Sequence, residues 1–178
     1  VASDPGSVIA DASALPDTFF SCIIDTIILQ GSPGGPNYSY QWTGPGINAS
    51  NEHQQNPVIT VPGVYTLVVT DDVSGCVSAP ASITINDISV DIVAIIQDPN
   101  NSLNCLVDTL DLETLGSSTG PTIKYIWFDP NGVPISNSPD LIVTIGGLWQ
   151  FFVIDTVSGC QDSTTIMIED LTQYPPVE

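Results

Sequence analysis

The sequence predicts an all-β fold, two β-sandwich domains in tandem, and three observations predict it. Short β-branched and aromatic runs alternate with Gly, Pro, Asn and Asp clusters along the chain. No segment carries a helical period, so helix content should be very low. The chain also states its landmarks twice, about 84 residues apart: Cys22 and Cys105, Trp42 and Trp127, Ser74-Gly75-Cys76 and Ser158-Gly159-Cys160. A repeat of that length is a complete small domain and its copy, not the shorter unit of a solenoid. The expected divisions are residues 1–87, residues 88–170 and a tail, 171–178, that begins a further repeat or adds a strand to a neighbouring subunit.

In the first repeat, strands are expected near residues 8–10, 26–30, 38–42, 58–61, 64–70 and 76–85. In the second they fall near 90–96, 109–113, 123–128, 141–145, 149–154 and 164–168. Pro33-Gly34-Gly35-Pro36 and Ser117-Ser118-Thr119-Gly120-Pro121 mark matching turns. Period two then assigns the faces. Tyr40, Trp42, Tyr65 and Leu67 point inward in the first repeat, as do Tyr125, Trp127, Trp149 and Phe151 in the second. Aromatics at repeated positions are core, because packing must be rebuilt in each copy.

The charge balance excludes several function classes. Lys124 is the single basic residue against 20 acidic ones, a formal net charge of −19. Such a surface repels nucleic acid and anionic membrane, so neither is an expected partner. A hydrophobic fraction of 42% argues against disorder, and no apolar stretch is long enough to cross a membrane. Four cysteines, two per repeat, point to disulfides and hence to an exported protein, extracellular or at the cell surface. The sequence begins without Met or a signal peptide and is read as a mature or excised segment.

Catalytic chemistry finds no motif: there is no phosphate loop, nucleophile elbow or metal-ligand triad, and His53 lies in a polar loop without a repeat counterpart. The chain is therefore read as a non-enzyme without a cofactor, calcium being the one candidate ion. Asp71, Asp72, Asp87, Asp91 and Asp170 follow strands or flank repeat junctions, where hard oxygen ligands could hold Ca²⁺; the competing reading is that they solvate the surface.

The order Cys…Asp-Thr-Ile-Ile-Leu…Tyr-Gln-Trp…Pro-Gly-Val-Tyr-Thr-Leu-Val-Val-Thr-Asp…Ser-Gly-Cys resembles the PKD-like and Ig-like tandem repeats of large bacterial surface adhesins, gliding-motility adhesins included. The second repeat departs from it with Gly146-Gly147-Leu148-Trp149, and neither copy has the Trp-Asp-Phe-Gly-Asp core of true PKD domains. The resemblance implies an extracellular filament or adhesin stalk that extends, displays and attaches, its partners being copies of itself or neighbouring repeats, head to tail. The alternative is a module that binds surface glycans or proteins. The resemblance also implies O-glycosylation at Asp-Ser/Thr-apolar sites, here Thr26, Thr109, Thr156 and Ser163. Asn37, Asn48 and Asn100 begin N-x-Ser sequons.

Two further expectations concern assembly. Outward positions of the first repeat are mainly polar (Gln41, Thr43, Thr66, Thr70), whereas the second has Ile126, Phe128, Phe152 and Ile154, an apolar contact surface. The cysteines allow pairing within each repeat, Cys22–Cys76 and Cys105–Cys160. They also allow a bond across the junction, Cys22–Cys160, that leaves Cys76 and Cys105 for flanking units. In an Ig-type sandwich the two cysteines of one repeat lie at opposite ends, which favours the second pairing.

Overall fold

Successive side chains of a strand point to opposite faces, so each alternating segment can bury one face and wet the other. The computed structural model, which describes residues 8–97 and 101–172, is built of strands, with no helix among the described residues. The chain divides into two compact units, Val1–Ser89 and Val90–Glu178.

The first unit comprises β1 (Asp11–Leu15), β2 (Phe19–Phe20), β3 (Ile27–Ser32), β4 (Tyr38–Thr43), β5 (Val58–Ile59), β6 (Gly63–Asp71) and β7 (Ala81–Asp87). One sheet runs β1-β3-β5 and the other β2-β7-β6-β4. All pairings are antiparallel except β2 with β7, which is parallel. Ile27 and Leu29 of β3 meet Trp42, Tyr65 and Leu67 in one buried cluster. The polar tips of its rings are satisfied at the edge: the Trp42 indole donates to the Gln55 carbonyl at 3.4 Å and the Tyr40 hydroxyl to that of Pro33 at 2.8 Å.

The second unit comprises β8 (Ser102–Leu103), β9 (Leu110–Leu112), β10 (Ile123–Phe128), β11 (Pro134–Ser136), β12 (Leu141–Val143), β13 (Gly147–Asp155) and β14 (Gln161–Asp170). Its larger sheet runs β11-β10-β13-β14-β8, again with a parallel final pair, and β12 pairs with β9. Trp127, Trp149 and Phe151 are buried, and the Trp127 and Phe151 rings lie 4.6 Å apart. Tyr125, expected inward, packs against this cluster and is part-buried, its hydroxyl donating to the Ser118 carbonyl at 3.1 Å.

Several expected strands are corrected. Residues 8–10 precede β1, and 76–85 contains a strand only from Ala81. Residues 90–96 form none, because hydroxyls and a carboxylate replace the ladder. Val93 N–H donates to the Ser118 hydroxyl at 3.0 Å, Ile95 N–H to that of Ser117 at 2.9 Å, and Ala94 N–H to the Asp162 carboxylate at 2.8 Å. The short strands β2, β8 and β11 were not expected.

Candidate functional site

Neighbouring strands β10 and β13 share an outer face in the second unit. Ile126 lies opposite Phe152, Phe128 opposite Gln150, and Lys124 opposite Ile154. The Phe128 and Phe152 rings meet edge to face with centroids 5.3 Å apart. The four expected contact residues thus form one patch, but they are part-buried rather than open, since they cover one another. Lys124, the chain's one basic residue, stands exposed on the same face. Leu148, at the same parity of β13, and Met167, its partner on β14, continue the apolar stripe with 42% and 54% exposure. Both were missed, although two steps of two back from Phe152, through Gln150, reach Leu148. In the first unit the equivalent face is mainly polar, with Thr66 and Ser82 hydrogen-bonded at 2.9 Å.

The cysteines lie in turns built alike in each unit. Cys22 occupies a turn closed by reciprocal backbone bonds between Ser21 and Ile24, at 3.0 and 3.3 Å; Cys105 occupies the same turn between Asn104 and Val107, at 2.8 and 3.1 Å. The Ser21 hydroxyl and the Asn104 side-chain oxygen accept the inner amides. Cys76 and Cys160 end turns in which the Asp71 and Asp155 carbonyls accept the Gly75 and Gly159 N–H groups, while the aspartate N–H groups donate to the Cys76 and Cys160 carbonyls. Cys22 and Cys160 are disulfide-bonded, whereas Cys76 and Cys105 are free thiols. The within-repeat bonds Cys22–Cys76 and Cys105–Cys160 are therefore not formed, for a geometric reason. In each unit the first cysteine lies where the last strand ends and the second lies at the far end of the long central strand.

Of the acidic residues named as calcium candidates, Asp71, Asp87 and Asp170 are engaged by their own turns. Asp71 accepts from Val73 N–H at 2.9 Å and from the Ser74 hydroxyl at 2.8 Å, and these bonds hold its carboxyl below the usual range. Asp155 does the same with Ser158, Val157 and the Thr122 hydroxyl, again with a lowered pKa. Asp87 and Asp170 are lowered by Ser89 and Thr172 respectively. Asp72 takes the Ser39 hydroxyl at 2.8 Å, and Asp91 is exposed. Among the described residues no three His, Cys, Asp or Glu side chains gather as a metal-holding group.

Thr26, Thr109, Thr156 and Ser163 are all exposed, Thr156 with its hydroxyl donating to the Thr122 carbonyl at 2.9 Å. Asn37 and Asn48 lie in described loops; Asn100 and residues 173–178 of the expected tail lie outside the described residues. The exposed His53 ring contacts the Tyr40 carbonyl at 3.0 Å and Glu52 at 3.5 Å, which anchors its loop. No helix among the described residues is long and apolar enough to cross a membrane.

No family model and no curated protein matches the chain. Solved structures do. The chain is similar to a Ca²⁺-stabilized adhesin that helps an Antarctic bacterium reach out and bind ice, at 12% identity and TM-score 0.54, covering 94% of this chain and 50% of that one. It is also similar to three N-terminal domains of the bacteriophage RB49 highly immunogenic outer capsid protein, at 15% identity and TM-score 0.45, covering 89% and 58%. The titin Ig tandem domains A164-A165 align at 14% identity and TM-score 0.33, covering 94% and 92%. The chain thus spans about half the length of the adhesin and capsid chains it matches. The fold is all-β and immunoglobulin-like.

Proposed function

We propose that the chain is a structural segment or subunit of an extracellular filament or adhesin stalk, acting by extension and surface display. One observation carries the reading: the same kind of strand-built unit, with the same pair of cysteine turns, is built twice. Repetition at the level of a whole domain serves reach, and a net charge of −19 keeps such particles soluble and apart. The likeness of fold to a bacterial adhesin is consistent with it. Electron microscopy of the native particle tests the proposal: extended fibres or stalks are expected, and compact isolated particles would overturn it.

A second reading, a glycan- or protein-binding module, is favoured by the patch of Ile126, Phe128, Phe152 and Ile154 beside Lys124. Apolar area next to a lone cation in an otherwise acidic chain suits a protein partner. Replacing Ile126 and Phe152 with Ser should weaken binding or assembly while the first unit stays folded. Unchanged assembly, and no ligand on a glycan array or in a pull-down, would dispose of the patch.

A further inference from the structure

Main-chain groups of an antiparallel strand are spent residue by residue, alternately on one neighbour and on the other. Thr156 N–H donates to the Thr122 carbonyl at 2.9 Å, so the bonded pairs of the β10–β13 ladder continue as Lys124 with Ile154, Ile126 with Phe152 and Phe128 with Gln150. Ile123, Tyr125 and Trp127 therefore aim their N–H and carbonyl groups away from β13. Trp127 pairs with Ser136 of β11, and Ile123 N–H donates to the Gly120 carbonyl at 3.2 Å. The Ile123 carbonyl and both main-chain groups of Tyr125 have no partner among the described residues. In the first unit a loop meets the matching edge: His53 Nδ1 contacts the Tyr40 carbonyl at 3.0 Å, and Trp42 N–H donates to the Glu52 carbonyl at 2.9 Å. Beside the open stretch of β10 lies a groove of about 380 Å³ lined by Ile123, Lys124, Tyr125, Ile126 and Asn137. Its lining holds the chain's single base and, among the described residues, no acid.

We propose that this open edge takes an extended strand from a partner polypeptide, antiparallel to β10, with a carboxylate opposite Lys124 and an apolar side chain opposite Ile126. The inference rests on the protein-binding reading of the patch and names what binds there. The added residue opposite Tyr125 exchanges N–H and carbonyl with it, and the one opposite Ile123 donates to the Ile123 carbonyl. The residue between them stands level with Lys124, where opposite charges on neighbouring strands attract. The residue level with Ile126 extends the apolar surface that Ile126 and Phe152 already share. The same edge of a second copy does not fit. Setting Lys124 against Lys124 brings like charges together, which is how a lysine guards an edge strand against its own kind. Setting Tyr125 against Tyr125 instead places Ile123 opposite Trp127, which β11 already holds. Setting Ile123 against Ile123 places Tyr125 opposite Pro121, which has no N–H to give.

The test pans a displayed heptapeptide library on the full chain, then titrates the enriched peptides, made synthetically, while NMR follows exchange of the Tyr125 N–H with solvent. Enriched peptides should share an acidic residue with an apolar one two places before it, and their binding should slow Tyr125 exchange. Methylating the peptide nitrogen that faces the Tyr125 carbonyl should abolish binding. Lys124 is exposed, so Lys124→Glu leaves the fold intact; it should weaken the acidic peptides by about tenfold, and peptides with Lys in place of the acid should then bind the variant better. No enrichment, enriched peptides without a carboxylate, or binding that ignores both the methyl group and Lys124→Glu would overturn the proposal. Peptides that leave Tyr125 exchange unchanged, yet are lost with Ile126→Ser and Phe152→Ser together, would sink strand addition and leave the patch reading standing. No enriched peptide and no capture in the pull-down would sink both.

Discussion

Tyr65 donates its hydroxyl proton to the carbonyl of Val61, with that of Pro45 also in reach at 2.8 Å, and Trp149 donates its indole N–H to the carbonyl of Ile145 at 3.3 Å. Each ring thus reaches back four residues to the turn before its own strand, so the second repeat keeps the contact while departing from Pro-Gly-x-Tyr. Tyr65→Phe removes the donor to two carbonyls that water can reach and should cost about 0.5–1.5 kcal/mol in denaturant unfolding, most visibly in the first unit. Asp71 and Asp155 are the other pair whose role was hidden in the sequence. Acid-rich turns read as metal ligands, but the decisive fact is which amides each carboxylate faces, and composition does not hold it. Their folded pKa values are depressed, so the stability they add is present above the unfolded value, about 3.9, and is lost as pH falls through the folded value. Asp71→Asn with Asp155→Asn keeps the acceptors and removes the charge. Thermal unfolding followed from pH 7 to pH 3 should show the double variant less stable at neutral pH and with a shallower acid decline.

At the scale of elements, the long strands were legible and the short ones were not. Tyr40, Trp42, Tyr65 and Leu67 alternate over enough residues to declare a face, and all four are buried. Phe19–Phe20 and Ser102–Leu103 are two residues each, too brief for any period, and are strands only because the end of a distant strand lies beside them. Residues 90–96 fail in the opposite sense: the apolar pattern is present, but Ser117 and Ser118 offer hydroxyls where the first unit offers a strand. The patch on β10 and β13 was readable from parity alone, while its mutual shielding needed the ring geometry. Gly147 opens β13 at φ +130°, and a Cβ there would stand 2.6 Å from Pro130. Gly147→Ala should therefore destabilise the second unit by more than about 1 kcal/mol, measured as local loss of hydrogen-exchange protection around β13 and β14.

For the whole molecule, charge sets behaviour in solution. With 20 acids against one base, copies repel at neutral pH, and the repulsion fades towards the sequence pI near 4.1. Light scattering of the reduced chain should rise as pH approaches that value and fall again on return to neutrality. No such rise would mean that surface charge is not what keeps the particles apart. Acid acts in two directions, since the same protonation that relieves repulsion also releases the aspartate turns. The cysteine count pointed to disulfides, whereas the length of β6 and of β13, which holds the two cysteines of a unit far apart, is a property of the folded strands.

The parallel pairing of β2 with β7 and of β8 with β14 has a mechanical consequence. When the two ends of a unit are pulled apart, parallel neighbours slide along each other, and the bonds between them share the load instead of opening one at a time like a zip. Asn86 N–H to the Thr18 carbonyl and Ile88 N–H to that of Phe20, at 3.1 and 3.0 Å, form this shear clamp in the first unit; Glu169 N–H to Asn101 and Leu171 N–H to Leu103, at 2.9 and 2.8 Å, form it in the second. Resistance to pulling is governed by the unfolding barrier, not by overall stability. Ile88→Pro removes one donor of the first clamp, and in single-molecule stretching of the reduced chain it should lower the rupture force of that unit alone. Two residues of strand per unit would then decide how hard a tether made of this chain can be tugged.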